Sequence, residues 1–194
     1  MNRRKTLGLA LGSSAMAACA PFGADMNKMV TLLDGTSMAN FDAVGNGNWR
    51  IVDGAIQGEK GSGFLVSKKS YKDFYMIAEF WSDADANSGI FIRCSNPKQI
   101  TATNSYEVNI FDKRPNQAFG TGAIVGVAEV SPMPWAVGRW NTLEITAHGP
   151  VLTVSFNGSR TVNGVRDTRF ASGPFALQSA GGTIKFRKVQ IVEM

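Results

Sequence analysis

The sequence predicts an all-β protein, a sandwich or jelly roll of two antiparallel sheets, and three observations support this prediction. Short apolar runs, many of them alternating with polar residues, recur along the chain and are separated by Gly, Pro and Asn at turn positions. Beyond the first 18 residues no stretch shows sustained helical periodicity. The 21 glycines and 12 phenylalanines among 194 residues are typical of a turn-rich β domain with a substantial core.

The strands follow from these runs in chain order. Asp53-Gly54 and Asn157-Gly158 are favoured two-residue hairpin turns, so the runs that flank them are predicted to pair. Residues 166–171 are expected to form at most one helical turn. The predicted strands are residues 31–35, 46–52, 55–56, 64–67, 74–81, 89–93, 106–111, 120–127, 141–147, 151–156, 159–162, 175–179 and 184–192.

The first 18 residues are predicted to be a cleaved export signal rather than part of this fold. Residues 2–5, Asn-Arg-Arg-Lys, precede small and apolar residues up to position 18, which is the order of charged and apolar regions in such signals. The apolar part is too short for a membrane span. The paired arginines are loosely typical of the twin-arginine route.

The end of this signal predicts a lipid anchor. Residues 16–19, Met-Ala-Ala-Cys, resemble a bacterial lipoprotein signal in which Cys19 is the lipidation site. Ordinary cleavage after Ala20 is the alternative, although Pro21 is unfavourable for that peptidase. We therefore expect an exported protein, in the periplasm or on the outer membrane, that contacts the membrane only through its N-terminal lipid.

Without its leader the chain is only weakly basic. Three of its 20 Lys and Arg residues lie in the leader, so 17 remain against 15 Asp and Glu residues and the net charge falls from +5 to +2. The charge of the remaining chain is therefore no argument for nucleic-acid binding. Residues 19–28 are predicted to be a tether and residues 29–194 a single domain. Cys94 lacks a disulfide partner once Cys19 is lipidated or removed, and we expect it to be a buried small hydrophobe.

The most informative stretch is residues 87–112, two apolar runs joined by a polar loop. Strand side chains alternate between the two faces of a sheet, so the aliphatic residues are expected to point into the core. The opposite face is then predicted to present Arg93, Glu107 and Asn109 together. A cation, a carboxylate and an amide on one face of a sheet are typical of a binding or catalytic site.

Further polar residues stand inside otherwise apolar strands. Glu79, Asp112 and Gln178 are the clearest, and Trp81 and other aromatic residues lie near them in the sequence. A solvated face or a buried ion pair that ties strands together is the simpler interpretation. Aromatic rings beside carboxylates also suit a sugar, because its C–H faces stack while its hydroxyl groups form hydrogen bonds.

Two common kinds of site receive little support. Residues 83–89 begin like a calcium loop, but the twelfth position, which must be a bidentate acid, is Cys94. A different oxygen-ligand calcium site in this loop stays open. His148 is the only histidine and stands in a predicted turn, so a histidine zinc site or a serine–histidine–aspartate triad is not expected.

A series of short motifs resembles the 3-keto-disaccharide hydrolase family, in the same order and over nearly all of the chain after the leader. The most specific are Asn-Ser-Gly-Ile-Phe-Ile-Arg and Tyr-Glu-Val-Asn-Ile-Phe-Asp, and the second carries Asn109 where the family commonly has Gln. The matching segments are residues 33–35, 49–54, 71–74, 79–80, 87–93, 106–112, 120–124, 138–141, 156–158, 176–178 and 186–189.

This resemblance implies a concanavalin A-like jelly roll that acts on glycosides oxidised at C3 of the sugar. A C3 ketone acidifies the hydrogen on C2, so a base can remove it, the enolate can expel the C1 substituent, and water can add back. The expected roles are Glu107 as base or acid, Arg93 as the cation that stabilises the enolate, and Asp112 as a helper of the leaving group or water.

The resemblance also implies residues that bind the substrate. Glu79, Asn109 and Gln178 would hold sugar hydroxyls or a divalent metal such as Ca²⁺, and Trp81 would stack on a sugar ring. By simple alternation Asp112 points to the opposite side from Glu107, so its role needs a bulge or a strand end.

Two alternatives stay open. The same fold serves lectins and carbohydrate-binding modules, which would use the same aromatic and polar face without catalysis. A glycosidase that cleaves unoxidised sugars is the other, although the alternating acids such an enzyme carries on one strand are incomplete here.

Overall fold

A computed structural model describes residues 23–194, and these residues form the predicted sandwich of two antiparallel sheets. The predicted export signal and Cys19 lie outside the described residues. Two short 3-10 helices, Met26–Lys28 and Gln117–Phe119, accompany the strands. The strands are β1 (Val30–Leu33), β2 (Phe41–Gly45), β3 (Asn48–Val52), β4 (Ala55–Glu59), β5 (Gly63–Ser67), β6 (Phe74–Ser82), β7 (Ser88–Ile92), β8 (Tyr106–Ile110), β9 (Trp140–His148), β10 (Val151–Phe156), β11 (Ser159–Arg166), β12 (Ala176–Ser179) and β13 (Ile184–Glu193).

The two sheets differ in size. The larger has eight strands in the order β11-β10-β9-β6-β13-β4-β3, with β1 paired to β13 beside this path. The smaller has five strands in the order β2-β5-β12-β7-β8. Strands that are distant in sequence, such as β6 and β13, therefore lie side by side, as in a jelly roll.

The core lies between the sheets and consists of the inward residues of each strand. From the large sheet, Met76 and Phe80 on β6 are fully buried, and from the small sheet Ile90 on β7 and Val108 on β8 face them. Alternation along each strand then sends the intervening residues to the other face. The two outward faces of the sandwich are therefore the surfaces on which a site can form.

Both hairpin turns predicted from dipeptides are confirmed. Asp53 and Gly54 have φ values of 50° and 71°, and Asn157 and Gly158 have φ values of 48° and 79°. Two successive residues with positive φ are typical of the turn whose twist matches that of the flanking strands. These turns join β3 to β4 and β10 to β11.

Two details of the predicted strand pattern are wrong, and residues 166–171 lack the single helical turn that the sequence allowed. Residues 120–127 are not a regular strand, because Gly122 and Gly126 adopt φ values of 85° and 67° and leave only isolated bridges. Residues 166–171 form no helical turn, because the Asp167 carboxylate accepts hydrogen bonds from Arg169 and holds an open loop. Strand β2 was not predicted, since its sequence lacks a sustained apolar alternation.

Within residues 23–194, no helix has the length and apolar character that a membrane span requires.

Candidate functional site

The candidate site lies on the face of the small sheet that is turned away from the core. We call this the site face and define it by Gly89 and Phe91 on β7, Glu107 and Asn109 on β8, and Gln178 on β12. Strand register pairs Gly89 with Asn109 and Phe91 with Glu107. Because β12 pairs with β7 through Ala176 and Phe91, continuation of the same register brings Gln178 beside Gly89.

Glu107 is the only carboxylate among these five residues, and it lies in an unusual environment. Its exposed fraction is 8%, and among the described residues no group forms a hydrogen bond or an ion pair with its carboxyl oxygens. Burial therefore raises the pKa of Glu107 from 4.5 to about 7. A carboxyl group with a pKa near neutrality can both accept and return a proton under ordinary conditions.

Arg114 is the cation whose charge acts on Glu107. It lies in the loop after β8, half-buried, and its positive charge opposes part of the rise in the pKa of Glu107. The side chain of Gln117 donates a hydrogen bond of 2.8 Å to the Arg114 carbonyl oxygen and so helps to hold this loop. Sequence reasoning missed Arg114 because it lies in a loop, where strand alternation gives no signal.

Asn109 and Gln178 contribute two hydrogen-bond acceptors that have no protein partner. The Asn109 side-chain nitrogen donates to the Phe119 carbonyl oxygen at 2.7 Å, which turns its Oδ1 away from that contact. Asn109 Oδ1 and Gln178 Oε1 are both buried without a hydrogen-bond partner. Unpartnered buried acceptors are costly unless a bound group supplies a donor.

Gly89 places no side chain between these polar groups, and its neighbours lie close to it. A Cβ atom at this position would lie 3.1 Å from the Val108 carbonyl oxygen, 3.3 Å from Glu107 Cγ and 3.4 Å from Phe91 Cε2. Any larger residue would therefore crowd the Glu107 side chain. The glycine keeps the centre of the site face free of protein side chains.

An apolar cluster borders the site face. The Phe91 ring contacts the Phe64 ring edge-to-face, with 5.3 Å between their centroids, and Ile100 and Cys94 pack against the same cluster. Cys94 is buried as predicted, and burial raises the pKa of its thiol to about 12. Phe91 pairs with Glu107 in the strand register, so this apolar cluster lies beside the carboxyl and contributes to its desolvation.

Arg93 does not share the site face, so the expected grouping of Arg93 with Glu107 is wrong. It follows the last residue of β7 with a φ of 53°, which ends the alternation that the prediction assumed. Its guanidinium donates to the carbonyl oxygens of Lys72, Gly149 and Phe170. It also pairs with Asp73 at 3.1 Å and is 1% exposed. Its contacts therefore tie together loops at one end of the sandwich.

The hydrogen bonds of Asp112 also differ from those expected of a residue beside the substrate. One carboxylate oxygen accepts from the Thr121 hydroxyl at 2.5 Å, and the other accepts from the backbone N–H groups of Ala136 and Val137 at 2.8 and 3.1 Å. Both oxygens are thus engaged within the protein. Asp112 fastens the irregular residues 120–137 to the end of β8.

Through this segment Asp112 also supports the two site residues on β8. The segment bonds to β8 at both site residues, through Val125 N–H to the Glu107 carbonyl at 2.9 Å and through Asn109 N–H to the Ala123 carbonyl at 3.0 Å. Asp112 is therefore a positioning residue for Glu107 and Asn109. The sequence indicated this difference, because simple alternation along the strand points Asp112 to the opposite side from Glu107.

Replacement of Asp112 by Ala is expected to lower the unfolding free energy by about 2 kcal/mol, because two buried donors and one partly buried donor lose their acceptor. Urea denaturation followed by tryptophan fluorescence measures this loss. Asp42→Ala is the control, because that carboxylate is exposed and its nearest cation, Lys68, lies at 3.9 Å. Equal stability of the two variants would contradict the anchoring role.

Glu79 and Trp81 lie on the opposite side of the molecule from the site face. Both are on β6, where Phe74, Met76, Ala78 and Phe80 enter the core, so by alternation Glu79 and Trp81 lie on the outward face of the large sheet. Glu79 pairs there with Arg187 at 2.6 Å and with Lys188 at 3.7 Å. Glu79 and Trp81 therefore do not share a face with Glu107, and their expected role in sugar binding stays a prediction. Alternation defined the face of a strand but not the sheet to which the strand belongs.

The acidic turn after β6 does not assemble a metal site in the described structure. Asp83 accepts hydrogen bonds from the backbone of Asp85 and Thr183, and Asp85 pairs with Lys113 at 2.7 Å. Among residues 23–194, no group of three or more His, Cys, Asp and Glu side chains is arranged to hold a metal ion.

Solved structures with the same fold include two from Parabacteroides distasonis, each described as a putative glycosyl hydrolase. The first matches with a TM-score of 0.78 and 16% identity over 87% of this chain and 94% of its own. The second has a TM-score of 0.71 and 23% identity over 87% of this chain and 100% of its own. The carbohydrate-binding module CBM66 from Bacillus subtilis has a TM-score of 0.62 and 21% identity over 90% and 100%.

No curated protein sequence is significantly similar to the chain. A family model does match, over residues 28–192, and its description is the 3-keto-alpha-glucoside-1,2-lyase-like domain. This range contains both sheets and every residue of the site face. The chain belongs to the family of 3-keto-alpha-glucoside-1,2-lyase-like domains, also called the 3-keto-disaccharide hydrolase family.

Proposed function

We propose that the protein cleaves glycosides whose sugar carries a ketone at C3, with Glu107 as the proton-transfer group. The observation that carries this proposal is the carboxyl of Glu107, which is buried, forms no hydrogen bond or ion pair within residues 23–194 and has a pKa of about 7. Removal of a hydrogen next to a ketone requires a base of this kind. Family membership supports the class of substrate.

The reaction proceeds in balanced steps. The Glu107 carboxylate takes the proton from C2, and the electron pair of the broken C2–H bond forms an enolate whose negative charge rests on the C3 oxygen. The enolate then collapses to form the C1–C2 double bond and re-form the C3 carbonyl, and the C1–O bond to the leaving group breaks. Protonated Glu107 returns its proton to the leaving oxygen. Water then adds across the double bond to give the free 3-keto sugar.

The other groups on the site face bind and stabilise the sugar. Asn109 Oδ1 and Gln178 Oε1 accept hydrogen bonds from sugar hydroxyls, which satisfies two buried acceptors that lack protein donors. Because Gly89 has no side chain, the sugar ring approaches Glu107 over the glycine backbone. Arg114, the cation that acts on this carboxyl, stabilises the enolate oxygen in place of the sequence candidate Arg93.

Product analysis in D₂O tests this function. Incubation with a 3-keto-disaccharide is expected to release free 3-keto sugar with deuterium at C2, because C2 loses its proton and later regains one from solvent. The unoxidised parent disaccharide is the matched control and is expected to stay intact. Cleavage of the parent would identify a glycosidase on unoxidised sugars. Tight binding without any product would identify a lectin-like protein.

The pH dependence of kcat/KM is a further expected result. Because the reacting form of Glu107 is the carboxylate, kcat/KM should be low in acid and rise with a midpoint at about pH 7. In Arg114→Gln the midpoint should move upward, since the positive charge that favours the carboxylate is gone. Initial rates with a 3-keto-disaccharide at a series of pH values measure both midpoints. A wild-type midpoint near the ordinary value for Glu would contradict the assignment of Glu107.

A further inference from the structure

The outward face of the large sheet carries a second set of residues that the proposed reaction does not use. Trp81 on β6 and Trp140 on β9 are directly opposite each other in the strand register. Lys185 on β13 is the partner of Trp81 on its other side, so the three side chains form a row across three strands. With Arg187 and Lys188 they form what we call the basic tryptophan patch.

An irregularity in β13 concentrates cations in this patch. The register of β13 against β6 shifts between Phe186 and Lys188, which is a bulge centred on Arg187. In a regular strand Arg187 and Lys188 would point to opposite faces. Here both reach Glu79 on the outward face. The bulge therefore places on the outward face one more cation than regular alternation would place there.

Cations lie over both tryptophan rings. Lys185 Nζ is 5.3 Å from the centroid of the Trp81 ring, and the Arg187 guanidinium is 4.4 Å from the centroid of the Trp140 ring. Such contacts hold the long cationic side chains against the sheet and so reduce the entropy lost when they bind an anion. The patch is thus partly preorganised for a negatively charged ligand.

The charge of the patch is not neutralised internally. Three cations face two carboxylates, since Glu79 pairs with Arg187 and Lys188 and Asp34 lines the same surface pocket, which leaves a net charge of +1. Lys185 takes part in no ion pair within residues 23–194. Arg187 and Lys188 keep 45% and 42% of their side-chain surface exposed although they pair with Glu79.

We propose that the basic tryptophan patch binds an acidic polysaccharide whose carboxylates pair with Lys185, Arg187 and Lys188. The three cations follow one another along β13, so they match repeated carboxylates along a polymer, and several weak contacts on one chain add in affinity. The tryptophan edges pack against the sugar rings between the charges. This surface is separate from the site face, so its failure would leave the proposed catalytic function unaffected.

An anionic membrane is the less favoured occupant. Tryptophans that anchor a protein in a membrane place their rings among the lipids, whereas both rings here carry a cation on one face. Glu79 also lies among the cations, where it would face the lipid phosphates. A polysaccharide offers hydroxyl donors to this carboxylate, which lipid phosphates do not.

Binding to immobilised polygalacturonate tests the proposal, with neutral dextran and phosphatidylglycerol-containing vesicles as the other two probes. The wild-type protein is expected to bind polygalacturonate and to lose binding at about 0.5 M salt. The double variant Lys185→Gln/Arg187→Gln should bind about tenfold more weakly. The control variant Lys98→Gln/Lys113→Gln removes the same charge near the small sheet and should bind like wild type, and thermal unfolding checks that all variants fold.

Several outcomes would overturn the proposal. One is that wild-type protein does not bind polygalacturonate, and another is that both double variants lose affinity equally, which indicates unspecific charge attraction. Binding to the vesicles but not to polygalacturonate would assign the patch to a membrane. Loss of binding only in the Lys98→Gln/Lys113→Gln variant would assign the polymer to the opposite side of the molecule.

Discussion

Replacement of Arg93 by Ala is expected to lower the unfolding free energy by about 4 kcal/mol, because a buried charge network loses its centre. The Arg93 guanidinium donates to three carbonyl oxygens and pairs with Asp73, which also accepts from the Gly149 N–H at 2.7 Å. Truncation leaves these acceptors without their donors and opens a cavity in place of a side chain that is 1% exposed. Urea denaturation followed by tryptophan fluorescence measures the loss.

Arg50→Ala is the matched control for this prediction. Arg50 also pairs with a carboxylate, Glu59, but half of its side chain is exposed, so its loss should cost less than about 1 kcal/mol. If Arg93→Ala does not fold, Arg93→Lys provides the measurable variant, since it keeps the charge but not the planar set of donors. Near wild-type stability of both Arg93 variants, with lost turnover, would restore the catalytic role expected from the sequence.

Replacement of Glu107 by Gln is expected to lower kcat on a 3-keto-disaccharide by about a thousandfold, because the amide cannot take the C2 proton. The substitution conserves shape, so substrate binding should change much less than turnover. Rates measured by release of free sugar, together with calorimetric affinity for the uncleaved substrate, separate the two effects. Glu193→Gln is the control for charge, since it removes the same charge from β13 of the large sheet, away from the site face. Undiminished turnover in Glu107→Gln would remove Glu107 from the reaction.

The same variant should be more stable than wild type in alkaline solution. The pKa of Glu107 is raised from 4.5 to about 7 by folding, so its contribution to stability is fully present below pH 4.5 and is lost as the pH rises through about 7. At about pH 8 the buried carboxylate should cost about 3 kcal/mol relative to acid solution. The neutral amide of the Glu107→Gln variant avoids this cost, and denaturation of both proteins at about pH 4 and about pH 8 measures the difference.

Strand alternation predicted the part of the site that lies inside regular strands. Glu107 and Asn109 lie on the face that the pattern of β8 indicates, because β8 is regular from end to end and its aliphatic residues enter the core. The hairpin turns were equally accessible, since Asn-Gly and Asp-Gly fix the local backbone. Both features depend on residues that are adjacent in the chain, so they can be predicted from the sequence alone.

The missed features depend on contacts between distant segments or on single backbone angles. Arg93 does not lie on the expected face because its own φ is positive directly after β7. The neighbouring sequence does not indicate this conformation. Glu79 and Trp81 were assigned to the wrong side because the pairing of β6 with β9 and β13 is decided by the packing of the whole domain. Arg114 reaches Glu107 from a loop whose path is held by Asp112 and Gln117.

The segment that Asp112 fastens has a second consequence, which concerns solubility. Strand β8 is the last strand of the small sheet, and its outer backbone groups bond to residues 122–125 instead of remaining open. An uncovered edge strand is a template for pairing with another chain and hence for aggregation. The irregular segment, kept from becoming a regular strand by Gly122 and Gly126, closes this edge without creating a new one. The loop that holds Glu107 in place therefore also covers the edge at which another chain could pair with β8.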